Sequence, residues 1–378
     1  MTLAKLEKLS LQLNHPFIFK NFIRPWLYRK NNNDVESVHE YILKFLNELE
    51  VLNILEKKQK EFYFEELEIT INGKKIIPLG TAAGFDKNCE ALLPLSYVFG
   101  FQEVGTIVVN FREGNPKPRV AIDAKKEAIY NAQGFPSKGV EYSLRKLREF
   151  RKKRPEYPIY ANICGIPNSE KELDKSLDEV SLLIDKLNPY VDGFVWNPSS
   201  PNTEILKFLR TQEMFKKHAE IMKQKAPDKL KLVKIGPYDK NEEGKKESLS
   251  LIEAFVENGG NGIVGVNTYR IPYNWPYKSA GVSGRPLAEY RLRAVKDARE
   301  RFPDIIIFAT GGIFDVEDAY RTIEAGANVL QFYTPLTFYG FGLVKKIGEG
   351  LIKKLKENGY TNLEKLKYAR QNFQKINT

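Results

Sequence analysis

A chain of 378 residues, 28% charged and 42% hydrophobic, can bury a full core, which excludes a disordered or collagen-like polymer and fits either two or three domains or one large α/β domain with additions. The net charge of +11 would suit a polyanion or an anionic membrane surface, but the lysines are scattered along the whole length, so nucleic-acid binding is not expected. Cys89 and Cys164 are the only cysteines and form no cluster with His15, His39 or His218. That excludes a disulfide framework and a zinc site of ordinary spacing, and no metal is expected.

Residues 1–13 interleave Lys5, Glu7 and Lys8 with leucines and lack the unbroken apolar core of a signal peptide. Phe19, Phe22, Ile23, Trp26 and Leu27 then make an apolar stripe flanked by Lys20, Arg24, Arg29 and Lys30, in which Pro25 is expected to kink or end the helix. Such a stripe lies in a membrane interface or packs on its own protein, and the residues leave both readings open. Asn33 and Glu36 stand in capping-box spacing ahead of Val38, Tyr41, Ile42, Phe45, Leu46 and Leu49, which predicts an amphipathic helix. Residues 1–70 thus read as a helical extension, and residues 71–378 as a separate α/β unit.

In that unit short apolar runs alternate with stretches of helical period. The predicted strands are Ile76 to Ala82, Glu103 to Val109, Pro158 to Ile163, Gly193 to Trp196, Leu230 to Ile235, Gly262 to Val266, Ile305 to Ala309 and Asn328 to Phe332. Eight parallel strands with crossover helices close naturally into an α/β fold of the (β/α)8 TIM-barrel type. An open doubly wound sheet is the alternative, but no Gly-x-Gly-x-x-Gly turn follows the first strand. Leu343, Ile347, Leu351 and Leu355, with lysines between them, predict an outer barrel helix. The longest nearly uncharged stretch, Ile305 to Phe314, is too short to span a bilayer, which takes about 20 apolar residues.

Barrels carry their chemistry at the carboxyl ends of the strands. Here those ends bear Lys87, Thr106, Asn131, Asn162, Asn197 with Ser199 to Thr203, Lys234, Asn267-Thr268, Thr310-Gly311-Gly312 and Tyr333-Thr334. Each has an ordinary explanation as a turn residue or a solvated lysine. Together, amides and lysines with no acidic pair describe a pocket for a flat, polar, anionic heterocycle bound by hydrogen bonds. Gly284, Gly311 and Gly312, beside Tyr333 and Thr334, offer the corner after strands seven and eight where barrels place a phosphate.

The motifs Ala83-Gly84-Phe85-Asp86-Lys87, Ser199-Ser200-Pro201-Asn202-Thr203, Ser283-Gly284-Arg285-Pro286-Leu287 and Thr310-Gly311-Gly312-Ile313 occur in that order. With them the sequence resembles the dihydroorotate dehydrogenases from about Asp34 to the end of the barrel. It is similar to the membrane-associated, quinone-using class, in which serine rather than cysteine is the base. The resemblance implies oxidation of (S)-dihydroorotate to orotate in de novo pyrimidine biosynthesis, with FMN in the barrel mouth and electrons passed to a membrane quinone. By the same resemblance Ser200 is the base, assisted by Thr203 and Phe135. The substrate would be held by Lys87, Asn131, Ala132, Gln133, Gly134, Phe135, Asn197, Asn202, Asn267 and Thr268. The flavin would be held by Ala83, Gly84, Phe85, Asp86, Lys87, Thr106, Asn162, Asn197, Lys234, Val266, Gly284, Gly312, Tyr333 and Thr334. His39, Arg119 and Tyr333 fall where the family places quinone-site groups, and residues 17 to 49 look like its helical quinone-access element. Peripheral attachment to the cytoplasmic face of the cell membrane follows as an expectation.

Two loops depart from the pattern: Ala132, Gln133, Pro136 and Ser137 stand where Arg and Asn are usual, and Ile166-Pro167 replaces a lysine-bearing turn. The readings left open are the same oxidation with a soluble acceptor, a flavin barrel acting on uridine in RNA, and a non-catalytic binding barrel.

Overall fold

The computed structural model describes residues 15–51, 53–274 and 276–366; the reading of residues 1–13 lies outside them. All eight predicted strands are present, as β1 (Leu79–Thr81), β2 (Phe101–Ile107), β3 (Ile159–Ile163), β4 (Gly193–Trp196), β5 (Leu230–Ile235), β6 (Gly262–Gly265), β7 (Ile306–Thr310) and β8 (Val329–Phe332). Each pairs in parallel with its chain neighbours, and β8 pairs with β1, so the barrel is closed. Strands β3, β4, β5, β6 and β8 are buried at every position. This is why they read as predominantly apolar runs: one face fills the barrel and the other is covered by helices.

The first predicted strand is divided. Lys74–Ile76 pairs antiparallel with Ile69–Ile71 through an Asn72-Gly73 turn in which both residues have positive φ (48° and 76°), the requirement of a two-residue hairpin. Pro78 separates this hairpin from β1, and the expected boundary at residue 70 falls inside it. A second sheet, absent from the sequence reading, joins Val120–Asp123, Ala128–Asn131, Ser279–Gly284 and Tyr269–Pro272 in antiparallel order. It brings Asn131 opposite Gly281 and sets both beside the barrel mouth.

The extension corrects two local expectations. Pro25 neither breaks nor ends the helix: Phe19–Ile23 forms a π turn, in which Arg24 N–H reaches back to Phe19 O, and Arg24–Lys30 continues as α-helix. The wider turn absorbs the ring and the missing N–H. The long helix α1 (Val35–Val51) is capped by Asp34 rather than Asn33: the Asp34 carboxylate accepts Ser37 N–H at 3.0 Å and Ser37 Oγ at 2.5 Å. Asn33 sits in the left-handed region (φ 59°), and Glu36 turns away to the barrel. The aromatic stripe splits between its two readings. Phe19, Ile23 and Leu27 are buried in a small cluster with Val38, while Phe17, Phe22 and Trp26 are 63%, 64% and 48% exposed. Outside the barrel run α2 (Val140–Lys153), α3 (Asp174–Leu187), α4 (Gln212–Lys225), α5 (Glu242–Glu257), α6 (Ala288–Arg301), α7 (Val316–Glu324) and α8 (Gly342–Glu357). In α8, Leu343, Ile347, Leu351 and Leu355 are all buried, as expected of an outer barrel helix. Among the described residues no helix is long and apolar enough to cross a membrane.

Candidate active site

A cavity of about 160 Å³ opens at the carboxyl ends of the strands. Its floor is an ordered set of amides that begins at Glu103, fully buried on β2. One carboxylate oxygen accepts Asn162 Nδ2 at 2.6 Å and the other Gln331 Nε2 at 2.5 Å. A carboxylate only accepts, so Asn162 must present its oxygen upward, where it takes Thr106 Oγ1 at 2.6 Å and Asn197 Nδ2 at 3.2 Å. Asn197 Oδ1 in turn accepts Asn267 Nδ2 at 3.0 Å. The orientation of each amide thus follows from one buried charge.

Lys234, 6% exposed on β5, has no hydrogen-bond or ion-pair partner for its ammonium among the described residues and lines the cavity. Burial lowers its pKa and the nearby Glu103 opposes that. Lys87 is likewise lowered by burial, against the pull of Glu36. The strand-four loop adds Ser200 and Asn202. Ser200 Oγ accepts Asn202 N–H at 3.4 Å, and Asn202 Nδ2 donates to Asn131 Oδ1 at 2.6 Å. Ser199 faces the other way, its Oγ donating to Lys234 O at 2.7 Å. Opposite lies the glycine corner. Gly284, Gly311 and Gly312 have φ of +95°, +106° and +70°, and a Cβ on Gly284 would stand 2.2 Å from Glu127 O, so the corner admits no side chain there.

The cavity is lined by Ala83, Gly84, Lys87, Thr106, Asn131, Gln133, Gly134, Phe135, Asn197, Ser200, Asn202, Lys234, Val266, Asn267, Thr268, Gly284, Gly312, Tyr333 and Thr334. Five expected residues do not line it. Asn162 lies beneath the floor, fully buried. The Asp86 carboxylate accepts the N–H groups of Glu90 and Ala91 at 2.7 and 2.8 Å, and burial pushes its pKa up to about 6. Phe85 packs edge-on against His39. Ala132 offers its carbonyl to Asn115 Nδ2 at 2.7 Å. Thr203 Oγ1 is buried without a partner, at the start of the Glu204–Leu209 turn. Glu103 and Gln331 were missed by the sequence reading, although a polar residue inside an apolar strand was the available signal. Gln331 Oε1 is buried with no partner among the described residues.

A second, larger cavity of about 700 Å³ lies between the extension and the barrel mouth, and Lys87, Gln133, Pro136 and Tyr333 line both. His39, Arg119 and Tyr333 all reach it. His39 Nε2 donates to Phe85 O at 2.6 Å; burial, aided by the Lys87 charge, holds its pKa down at about 3, so the ring is neutral at neutral pH. Arg119 pairs with Glu36 at 3.0 Å, tying α1 to the barrel. Burial raises the Tyr333 phenol pKa.

A family model described as dihydroorotate dehydrogenase matches residues 66–355. The chain is 35% identical over 318 residues to the dihydroorotate dehydrogenase (quinone) of a Nitratiruptor species, covering 82% of this chain and 88% of the relative. It is 31% identical over 364 residues to that of Nautilia profundicola, covering 91% and 95%. The crystal structure of Eimeria tenella DHODH in complex with ferulenol superposes with a TM-score of 0.75 at 26% identity, covering 88% of this chain and 94% of that one. The family model spans well over half of the chain, and these relatives match across most of their own length: the chain belongs to the dihydroorotate dehydrogenase family.

Proposed function

We propose that the protein oxidises (S)-dihydroorotate to orotate in de novo pyrimidine biosynthesis, with FMN in the barrel mouth and a membrane quinone as electron acceptor. The observation that carries this reading is the pair of cavities with a common wall. One holds Ser200, the amides and two lysines; the other lies under the extension and brings Phe19, Ile23 and Leu27 together with His39 and Arg119.

The residues present suit a flavin. Gln331 Oε1 is buried without a partner among the described residues and lines the cavity with Lys234, which together suit a ring edge that both accepts and donates, and the glycine corner leaves room for a phosphate. When bound, FMN supplies the acceptor for the two electrons that leave substrate C6 as hydride. This chain's own part is to place and deprotonate the substrate. The Lys87 ammonium meets the substrate carboxylate, and Asn131, Asn197, Asn202 and Asn267 read the ring's rim. Ser200 Oγ takes the C5 proton, so that the C5–C6 double bond forms as the hydride departs. Lys234 would be one of the residues that hold the flavin, and its buried positive charge would favour electron uptake by such a group.

The extension serves as the quinone-access element and as a peripheral membrane contact at the cytoplasmic face. Phe17, Phe22 and Trp26 face outward among Lys20, Arg29 and Lys30, the composition of a helix that lies in a lipid interface. Replacing Phe17 and Phe22 together with serine is expected to weaken sedimentation with vesicles containing anionic lipid, while turnover with a short-chain soluble quinone stays near wild type, because neither ring lines the second cavity.

The test of the function is an anaerobic absorbance titration of the purified protein. Dihydroorotate is expected to bleach a flavin band, and a short-chain quinone to restore it. A band that persists at saturating dihydroorotate overturns the reaction. A band restored by fumarate or NAD but not by quinone overturns the acceptor.

A further inference from the structure

Behind the glycine corner lies a charged group that the proposed chemistry does not use. Arg291, in the first turn of α6, is fully buried and is not among the cavity-lining residues. Its Nη1 donates to Gly311 O at 2.5 Å. Its Nε and Nη2 are buried with no partner, and no carboxylate lies within ion-pair distance among the described residues. Asp318, the strongest attractive charge on it, is shared with Arg285 at 3.4 Å and Phe314 N–H at 2.9 Å. Burial lowers the guanidinium only to about 10, so it stays charged at neutral pH. A buried, uncompensated cation is costly to a fold unless something nearby supplies the opposite charge.

The peptide it touches supplies the link. Gly311 C=O and Gly312 N–H belong to one trans peptide and therefore point in opposite directions. The carbonyl points to Arg291, outside the cavity, so the Gly312 N–H points to the cavity side, where it has no acceptor among the described residues. A hydrogen bond from a cation to the carbonyl polarises the amide and strengthens its N–H as a donor. Gly312 also stands against the start of α6, where a Cβ would meet Ala288 N at 2.7 Å, so the positive end of that helix faces the same corner.

We propose that Arg291 is a positioning residue for anion binding: through the Gly311–Gly312 peptide it strengthens the corner's hold on a phosphate monoester without touching it. The proposal rests on the flavin reading of the cavity and assigns the charge that its phosphate-bearing tail would meet.

The test compares FMN with riboflavin, which has the same ring and no phosphate. Full-length protein is stripped of flavin and titrated with each by fluorescence quenching. Wild type is expected to prefer FMN strongly. Arg291→Met is expected to weaken FMN binding roughly tenfold or more and to leave riboflavin binding unchanged, while Arg291→Lys, which keeps the charge, retains most of the preference. Should the Met variant fail to fold, Arg291→Gln, neutral and polar, is read in the same way. Equal losses for both ligands, or no loss for either, overturn the role of Arg291. A wild-type protein that binds FMN no better than riboflavin overturns instead the phosphate corner on which the proposal stands.

Discussion

Ser200→Ala is expected to slow flavin bleaching by dihydroorotate by about 10²- to 10⁴-fold, the range that a positioned general base contributes. Stopped-flow absorbance under anaerobic conditions reads this step without involving the quinone. The substitution leaves the rest of the loop in place: Asn202 keeps its bond to Asn131, and Ser199 keeps its bond to the Lys234 carbonyl. Orotate affinity and flavin content are therefore expected to change little, which separates loss of the base from collapse of the site. Among the described residues the Ser200 oxygen receives only the long 3.4 Å contact from Asn202 N–H, so it is available to a substrate proton. Near-normal bleaching in the alanine variant would remove Ser200 from the mechanism.

Lys234→Met carries the second large effect, and its two readouts move apart. Removal of the Lys234 ammonium would withdraw a cation from the cavity that is proposed to hold the flavin ring, and flavin reduction is expected to slow by about 10²- to 10³-fold, as for loss of one preorganised electrostatic contact. The midpoint potential of the bound flavin is expected to fall. Thermal stability of the flavin-free protein, in contrast, is expected to hold or rise, because a buried ammonium without a hydrogen-bond partner among the described residues is replaced by an apolar chain of similar length. A variant that loses stability and reduction rate together would mean that Lys234 supports the fold rather than the ring.

The barrel was legible in the sequence because its strands are buried on both faces and so are apolar at most positions, as in Gly193–Trp196 and Gly262–Gly265. The sheet that pairs Ala128–Asn131 with Ser279–Gly284 was not. Its partners lie some 150 residues apart, and Gly281 and Ser283 give no alternating apolar signal. The Asn72-Gly73 turn was a signal available and unused. In the site, strand-end amides could be picked out by position, and Ser200 by the resemblance of its motif. Asp86 could not be separated from its neighbours that way, because a carboxylate that caps a turn and one that faces a ligand occupy the same place in the sequence. Glu103 and Gln331 were marked only as polar residues inside apolar strands: they lie below the strand ends, and their contact across the barrel exists only once it is closed.

Lys87, Gln133, Pro136 and Tyr333 stand between the two cavities and belong to both. Such a partition lets reducing equivalents cross while keeping the two reactants from meeting, so the pyrimidine and the acceptor need never compete for space. An inhibitor lodged beneath the extension would then slow reoxidation alone and lower the maximal rate and the apparent KM for dihydroorotate together, and orotate would act as a ligand of the other chamber alone.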